Sequence, residues 1–299
     1  MKPRTGAASL TMVILMGVLW GMNWPAVKFM LTELPPITMR AIAFPSAALL
    51  LGIIARSLGH RLCPPRRELL PMLLTGLFVI FGFNIGSTFG QVFTQTSKAA
   101  IIAYTMPAIT AVLAVAFLKE RLHLRLVLAL IIGMGGLAVL ASKDFEALLD
   151  DPTGPVIMLA AALSWSIGNI ALKSRTWTLS PLAMAMWFFG ISSVLAWPLV
   201  LIFEPLADQH VPSLPVLLTL GYHILGPMVV CYLLWTVLLG RLPATVAAIS
   251  TLTAPIVGVS SAVVLLGDEL TWQIVTALAL IVGSIALTLG RPRRQPEAE

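Results

Sequence analysis

Within the apolar run 69–92, Asn84, Ser87, Thr88 and Gln91 recur at i, i+3, i+4 and i+7, so a helix there carries one polar face two turns long. Polar side chains in such a helix face the interior of a bundle and mark functional sites. This face has two readings. It is either the wall of a wet cavity that hydrogen-bonds a solute, or a set of interhelical hydrogen bonds worth about 0.6 kcal/mol each. Trp20, Asn23 and Trp24 share a helical face by the same spacing, and Trp165 and Asn169 share another. Indole beside amide suits a pocket for an aromatic or amphipathic solute. The alternative home of membrane tryptophan is the interfacial belt, which also fits Trp24, Trp177, Trp197 and Trp272. Tyr104, Tyr232, Trp235, Ser250 and Thr253 add hydroxyl and ring groups in the middle of other apolar runs. The chemistry on offer is recognition, by hydrogen bonds and ring contacts.

Groups for catalysis are missing. The sequence contains no G-x-S-x-G nucleophile, no H-E-x-x-H zinc site and no Asp-rich metal motif, which argues against an enzyme, a metal or a cofactor. Cys63 and Cys231 are the only cysteines, far from a disulfide framework or a metal cluster. His223 is the one histidine inside an apolar run; it reads as a hydrogen-bonded core residue, with a proton relay as the alternative. Arg40, Lys28 and Lys98 lie near run ends and read as cations snorkelling to headgroups, or as attractors of a carboxylate at a cavity mouth. Every acidic residue falls at or beyond a run end. Passage driven by the solute's own gradient therefore fits better than coupling through a carboxylate.

The elements that position these residues follow from composition. Of 299 residues 58% are hydrophobic and 11% charged, less than half the usual charged share of about 25% in soluble domains. Ten apolar segments result: Ala7–Met30, Pro36–Leu58, Leu69–Val92, Ser97–Leu118, Leu124–Ala141, Pro155–Leu172, Pro181–Phe203, Leu214–Leu239, Pro243–Leu266 and Trp272–Leu289. Each approaches the length of about 20 residues that crosses a bilayer as a helix, and none alternates with period two. The expected fold is an all-α membrane protein of ten spans.

Net charge is +6, but the basic residues cluster in alternate loops instead of forming a nucleic-acid footprint. Lys2 and Arg4 precede the first span; Arg56, Arg61, Arg66 and Arg67 join spans two and three. Lys119, Arg121 and Arg125, then Lys173 and Arg175, then Arg241, and finally Arg291, Arg293 and Arg294 fall on the same side. Asp144, Glu146, Asp150, Asp151, Glu204 and Asp208 fall on the other. Both termini are thus expected in the cytoplasm.

The chain also repeats itself. Trp20, Ala26, Lys28, Pro36 and Phe44 match Trp165, Ala171, Lys173, Pro181 and Phe189 at an offset of 145. Ala99, Ala100, Ile101, Pro107 and Gly135 match Ala247, Ala248, Ile249, Pro255 and Gly283 at 148. Five spans per copy is an odd number, so the second copy enters the membrane inverted. Residues 1–143 and 144–299 are then two inverted five-helix repeats, an arrangement of secondary transporters with the solute site at the repeat interface.

These residues resemble the drug/metabolite transporter superfamily in its ten-helix EamA-type branch. The resemblance is carried by Trp20, Asn23 and Trp24, by Ala99–Pro107 followed by Phe117–Leu122, and by the echo Ala247–Pro255 followed by Leu266–Leu270. One departure is the Asp268-Glu269 pair, where many members have a single Glu. Within the branch the chain looks most like the YddG-type amino-acid exporters. That resemblance implies export of aromatic and other neutral amino acids across a bacterial inner membrane. The runner-up is a carrier of other metabolites or drugs, of nucleotide-sugar or multidrug type. Partners are expected to be the solute and the bilayer, with a functional monomer because both copies lie in one chain. Gly21, Pro25, Pro107, Gly168 and Pro255 are the expected hinges for rocking of the bundle.

Overall fold

The computed structural model describes residues 7–94, 96–142, 151–258 and 271–289, and there the chain is helical, with no strand. Seven helical spans are long and apolar enough to cross a membrane, and three shorter apolar helices, Leu124–Val139, Ala244–Gly258 and Trp272–Thr288, accompany them. The flanking Lys2, Arg4, Arg291, Arg293 and Arg294, the loop acids Asp144, Glu146 and Asp150, and the Asp268-Glu269 pair lie outside the described residues, as does the side chain of Lys98.

Helix α1 (Ala7–Met30) runs unbroken through Pro25, and α2 (Pro36–Ser57) starts on a proline whose missing N–H costs nothing in a first turn. The third span is composite: α3 (Arg66–Gly76), a π-helical turn (Leu77–Gly82) and α4 (Phe83–Phe93). The fourth breaks at Tyr104 and Thr105 between α5 (Thr96–Ala103) and α6 (Met106–Leu118). Helices α7 (Leu124–Ala141), α8 (Thr153–Lys173) and α9 (Pro181–Phe203) follow. The eighth span is again composite, with α10 (Leu214–His223), a π turn (Ile224–Val230) and α11 (Cys231–Arg241). After α12 (Ala244–Ser250) the chain breaks at Thr251 and Leu252, is helical again over 253–258, and ends in α13 (Trp272–Leu289).

Lipid-facing and interior sides separate by polarity. Leu49, Ile53, Val112, Phe117, Val194 and Leu218 are exposed, as an apolar solvent requires, while Asn84, Thr88, Gln91, Asn169 and Ser192 are buried. The third span is positioned by glycine. Gly82, Gly86 and Gly90 form one stripe against α8: an added Cβ would come within 2.3 Å of Ser164 Oγ, 2.9 Å of Ala161 Cβ and 2.5 Å of Met158 Cε, respectively. Such small-residue stripes let membrane helices approach closely. With that side pressed on α8, Asn84, Ser87, Thr88 and Gln91 turn toward the bundle centre.

Carboxylates tie distant helix starts together. Glu204 accepts from the N–H groups of Ile37 (2.9 Å) and Thr38 (2.7 Å) at the start of α2. Glu120 does the same for Ala244 (2.7 Å) and Thr245 at α12. Buried Glu68 takes the N–H and hydroxyl of Thr178, and Glu33 those of Ser213 ahead of α10. Negative charge at a helix N-terminus satisfies orphan donors and complements the helix dipole. Acidic residues at run ends thus act as staples, each joining one half of the chain to the other.

Candidate functional site

A cavity lies in the middle of the bundle, bounded by α1, α2, α4, α8, α10, α11 and the breaks at Tyr104 and Thr251. Its volume is about 60 Å³. Of the residues expected at a solute site, Trp20, Asn23, Trp24, Asn84, Ser87, Gln91, Tyr104, Trp165 and Tyr232 line it. Val27, Phe83, Met106, Pro227, Met228 and Thr251 complete the apolar part of the wall.

The aromatic groups form a connected wall. Trp165 lies 4.8 Å from Trp235, Trp235 5.9 Å from Trp20, and Trp20 meets Tyr232 edge-on at 5.7 Å, measured between ring centroids. The polar tips of Trp20, Trp24, Trp235 and Tyr232 have partners. Trp20 Nε1 donates to the Pro227 carbonyl (3.2 Å), Trp24 Nε1 to the Tyr104 hydroxyl (2.9 Å) and Trp235 Nε1 to Asn169 Oδ1 (2.7 Å). Asn84 Nδ2 donates to both the Ile80 carbonyl (2.8 Å) and the Tyr232 hydroxyl (3.0 Å). Indole and phenol rings held this way present apolar faces at fixed angles, a preorganised surface for a flat or apolar solute.

Four expected site residues sit behind that surface. Asn169 and Trp235 brace each other and Trp165, since Asn169 Nδ2 also donates to the Trp165 carbonyl at 2.8 Å. Thr88 accepts from Arg40. Ser250 donates to its own helix at Ala247 O (2.6 Å), and the next residue, Thr251, reaches the cavity instead. Trp24 is no belt residue in this arrangement, because its indole is bonded to Tyr104 inside the bundle.

Arg40 overturns the reading made from its sequence neighbours, whereas His223 is the buried, hydrogen-bonded core residue expected. Arg40 is 2% exposed and faces the cavity rather than the headgroups. Its Nε donates to Thr88 Oγ1 at 2.7 Å, and Nη1 lies 2.8 Å from His223 Nε2. A guanidinium only donates, so His223 Nε2 is the acceptor. The imidazole proton then sits on Nδ1 and is given to Asn23 Oδ1 at 2.6 Å. His223 is therefore neutral, and the chain Arg40–His223–Asn23 links α2, α10 and α1. Nothing in the local sequence signals it, for the partners are 183 and 200 residues apart.

The expected hinge glycines have a packing task. A Cβ on Gly21 would meet the Ala254 carbonyl at 2.6 Å, and one on Gly168 the Val79 amide nitrogen at 2.5 Å. Pro107 and Pro255 each follow a helix break by a few residues, and Pro107 lies in the first turn of α6.

Comparison with known proteins agrees with this architecture. The chain is 27% identical to a "Probable amino-acid metabolite efflux pump" of Salmonella typhimurium over 93% of each chain. It is 26% identical to the "Uncharacterized transporter YvbV" of Bacillus subtilis, over 99% of this chain and 95% of that one. A third relative, also 26% identical, is the "Uncharacterized inner membrane transporter YedA" of Escherichia coli, with 92% and 88% covered. A solved crystal structure shares the fold, with a TM-score of 0.78 at 19% identity over 95% of this chain and 96% of its own. The sequence profile of the EamA-like transporter family matches twice, at residues 7–142 and 152–290. With helices that span a membrane around a lined cavity, and with both halves matched, the chain is a transporter and not an enzyme, and it belongs to the EamA-like transporter family of the drug/metabolite transporter superfamily.

Proposed function

We propose that this transporter exports amino acids, aromatic and other neutral ones foremost, across the bacterial inner membrane by alternating access, as a monomer with both termini in the cytoplasm. The observation that carries the reading is the cavity itself, where rings of Trp20, Trp24, Tyr104, Trp165 and Tyr232 stand opposite the polar side chains of Asn23, Asn84, Ser87 and Gln91. A solute with an apolar body and a polar head fits such a wall. The relative named as an amino-acid metabolite efflux pump favours the same class.

Two inverted five-helix copies, 1–143 and 144–299, are the framework of this proposal. Phe44 and Phe189, related by the 145-residue offset, pack at 6.2 Å, and Asn84 and Tyr232, related by the 148-residue offset, share a hydrogen bond. Contacts between corresponding positions are what a two-fold axis between the copies predicts. Lys28 Nζ donates to Gln91 O at 2.6 Å, and its counterpart Lys173 donates to Leu239 O, the counterpart of Gln91, at 2.7 Å. The π turns Leu77–Gly82 and Ile224–Val230 correspond as well.

At about 60 Å³ the cavity in this arrangement is smaller than the roughly 150 Å³ that takes up a benzene ring, so binding of an aromatic amino acid needs the helices around it to part. No Asp or Glu is among the described lining residues, which supports downhill passage over coupling through a carboxylate. Purified protein in liposomes, assayed for flux of each of the twenty amino acids with and without a pH gradient, tests the proposal. Saturable flux competed by a second amino acid is the expected result. Flux of sugar nucleotides alone would reverse it.

A further inference from the structure

Arg40 is a full positive charge buried inside the bundle. Burying such a charge costs several kcal/mol unless an opposite charge accompanies it, and Arg does not shed its proton. Its partners among the described residues, Thr88 and His223, are both neutral. They use Nε and one hydrogen of Nη1. Nη2 keeps both hydrogens and Nη1 keeps one, a pair of adjacent donors on the end of the guanidinium, at the cavity wall. Two parallel N–H donors with this fork geometry fit the two oxygens of a carboxylate. The guanidinium is also fixed in advance, because Nε is held by Thr88 on α4 and Nη1 by His223 on α10.

A second unpaired group lies beside it. Gln91 is 1% exposed, lines the same cavity, and its Oε1 has no hydrogen-bond partner. It follows Thr88 by three residues on α4, so it projects from the same helical face as the group that holds Arg40, about 5–6 Å farther along. A buried acceptor without a donor is costly, and an N–H donor such as an ammonium is the kind of partner it lacks.

We propose that Arg40 is the carboxylate subsite of the cavity and that Gln91 Oε1 receives the ammonium of the same solute. This rests on the transport reading above and narrows it to solutes that carry a carboxylate and an ammonium on one carbon, with the remaining group laid against the Trp20–Trp165–Tyr232 wall. Thr88 and His223 are positioning residues: they aim the guanidinium. Asn23 sets the His223 tautomer that makes Nε2 an acceptor.

The test uses full-length protein in detergent, with binding read from ligand-induced shifts in melting temperature and from calorimetry. Four probes share one apolar body: L-phenylalanine, its methyl ester, phenethylamine and 3-phenyllactate. Wild type should bind L-phenylalanine, lose about ten- to hundredfold in affinity for the ester and the amine, and lose less for phenyllactate, which keeps the carboxylate. Arg40→Gln should bind L-phenylalanine and its ester alike, and Gln91→Leu should bind L-phenylalanine and phenyllactate alike. The wild-type series needs no mutant to fold. Equal wild-type affinity for amine and amino acid, or unchanged L-phenylalanine binding by Arg40→Gln, overturns the subsite while leaving amino-acid transport standing. Should wild type bind none of the four but bind a phosphate ester that Arg40→Gln rejects, the carboxylate assignment and the amino-acid reading fall together.

Discussion

Asn84 donates a hydrogen bond to the Tyr232 hydroxyl at 3.0 Å, and the two residues stand 148 positions apart, the same interval that relates the later halves of the sequence repeat. The contact closes the cavity wall between α4 and α11.

A double-mutant cycle measures that contact. Tyr232→Phe and Asn84→Ala each lower stability, and their coupling should be about 0.6 kcal/mol and no more than about 1.7, the range for hydrogen bonds between membrane helices. Unfolding in mixed detergent micelles gives the four values. Additive effects would mean that the bond contributes nothing.

Gly168 is the most confined of the helix-packing positions, since a Cβ there would lie 2.5–2.8 Å from three atoms of Val79. Two of these are backbone atoms of the π turn, which cannot swing aside. Gly168→Ala should cost about 1–3 kcal/mol by overpacking. Gly190→Ala, where an added Cβ meets nothing within 4 Å, is the control and should be neutral in the same melting assay.

Lys28 and Lys173 bond the carbonyl ends of α4 and α11, one at each end of the bundle. Under alternating access these are opposite latches. Removing one cation frees the gate on its own side, so Lys28→Met and Lys173→Met should change labelling of a Ser87→Cys reporter in opposite directions. The readout is the rate with a membrane-impermeant thiol reagent added to right-side-out and then to inverted vesicles. Both variants moving the rate the same way would refute opposed latches.

Glu33 lies in the exposed turn between α1 and α2, where the Ser213 backbone N–H, and then its hydroxyl, hold the carboxyl below its ordinary value. A depressed acid contributes stability above its unfolded value of about 4.3 and loses it as pH falls through the lower, folded value. Wild type should therefore lose more melting temperature than Glu33→Gln between pH 6 and pH 3. Parallel curves would show that the staple is not formed in solution.

Much of the fold and part of the site can be read from residue order alone. The ends of α1, α7, α9 and α13 coincide with the apolar runs, because a helix in lipid must keep every backbone group bonded and so follows the apolar stretch. The face of Asn84, Ser87, Thr88 and Gln91 and the pairing of Trp20 with Trp165 are legible for a similar reason, since spacing fixes direction. What escapes is set by distance along the chain. Arg40 sits one turn inside α2, where a long cation can reach the headgroups, and only Thr88 and His223, 48 and 183 residues away, draw it inward. The π turns carry no residue signature beyond Gly76, Gly82 and Pro227 nearby, and the Gly82–Gly86–Gly90 stripe becomes meaningful only when α8 lies against it.

Each π turn holds one residue more than an α-helical turn of the same rise. Handing that surplus residue along the helix would turn the residues it passes by about 100° while leaving both flanking stretches in place. In the third span such a slip carries the Asn84–Gln91 face away from the cavity, and in the eighth it does the same for Tyr232 and Trp235. Each half of the chain thus holds one such surplus residue directly beside a cavity-lining segment.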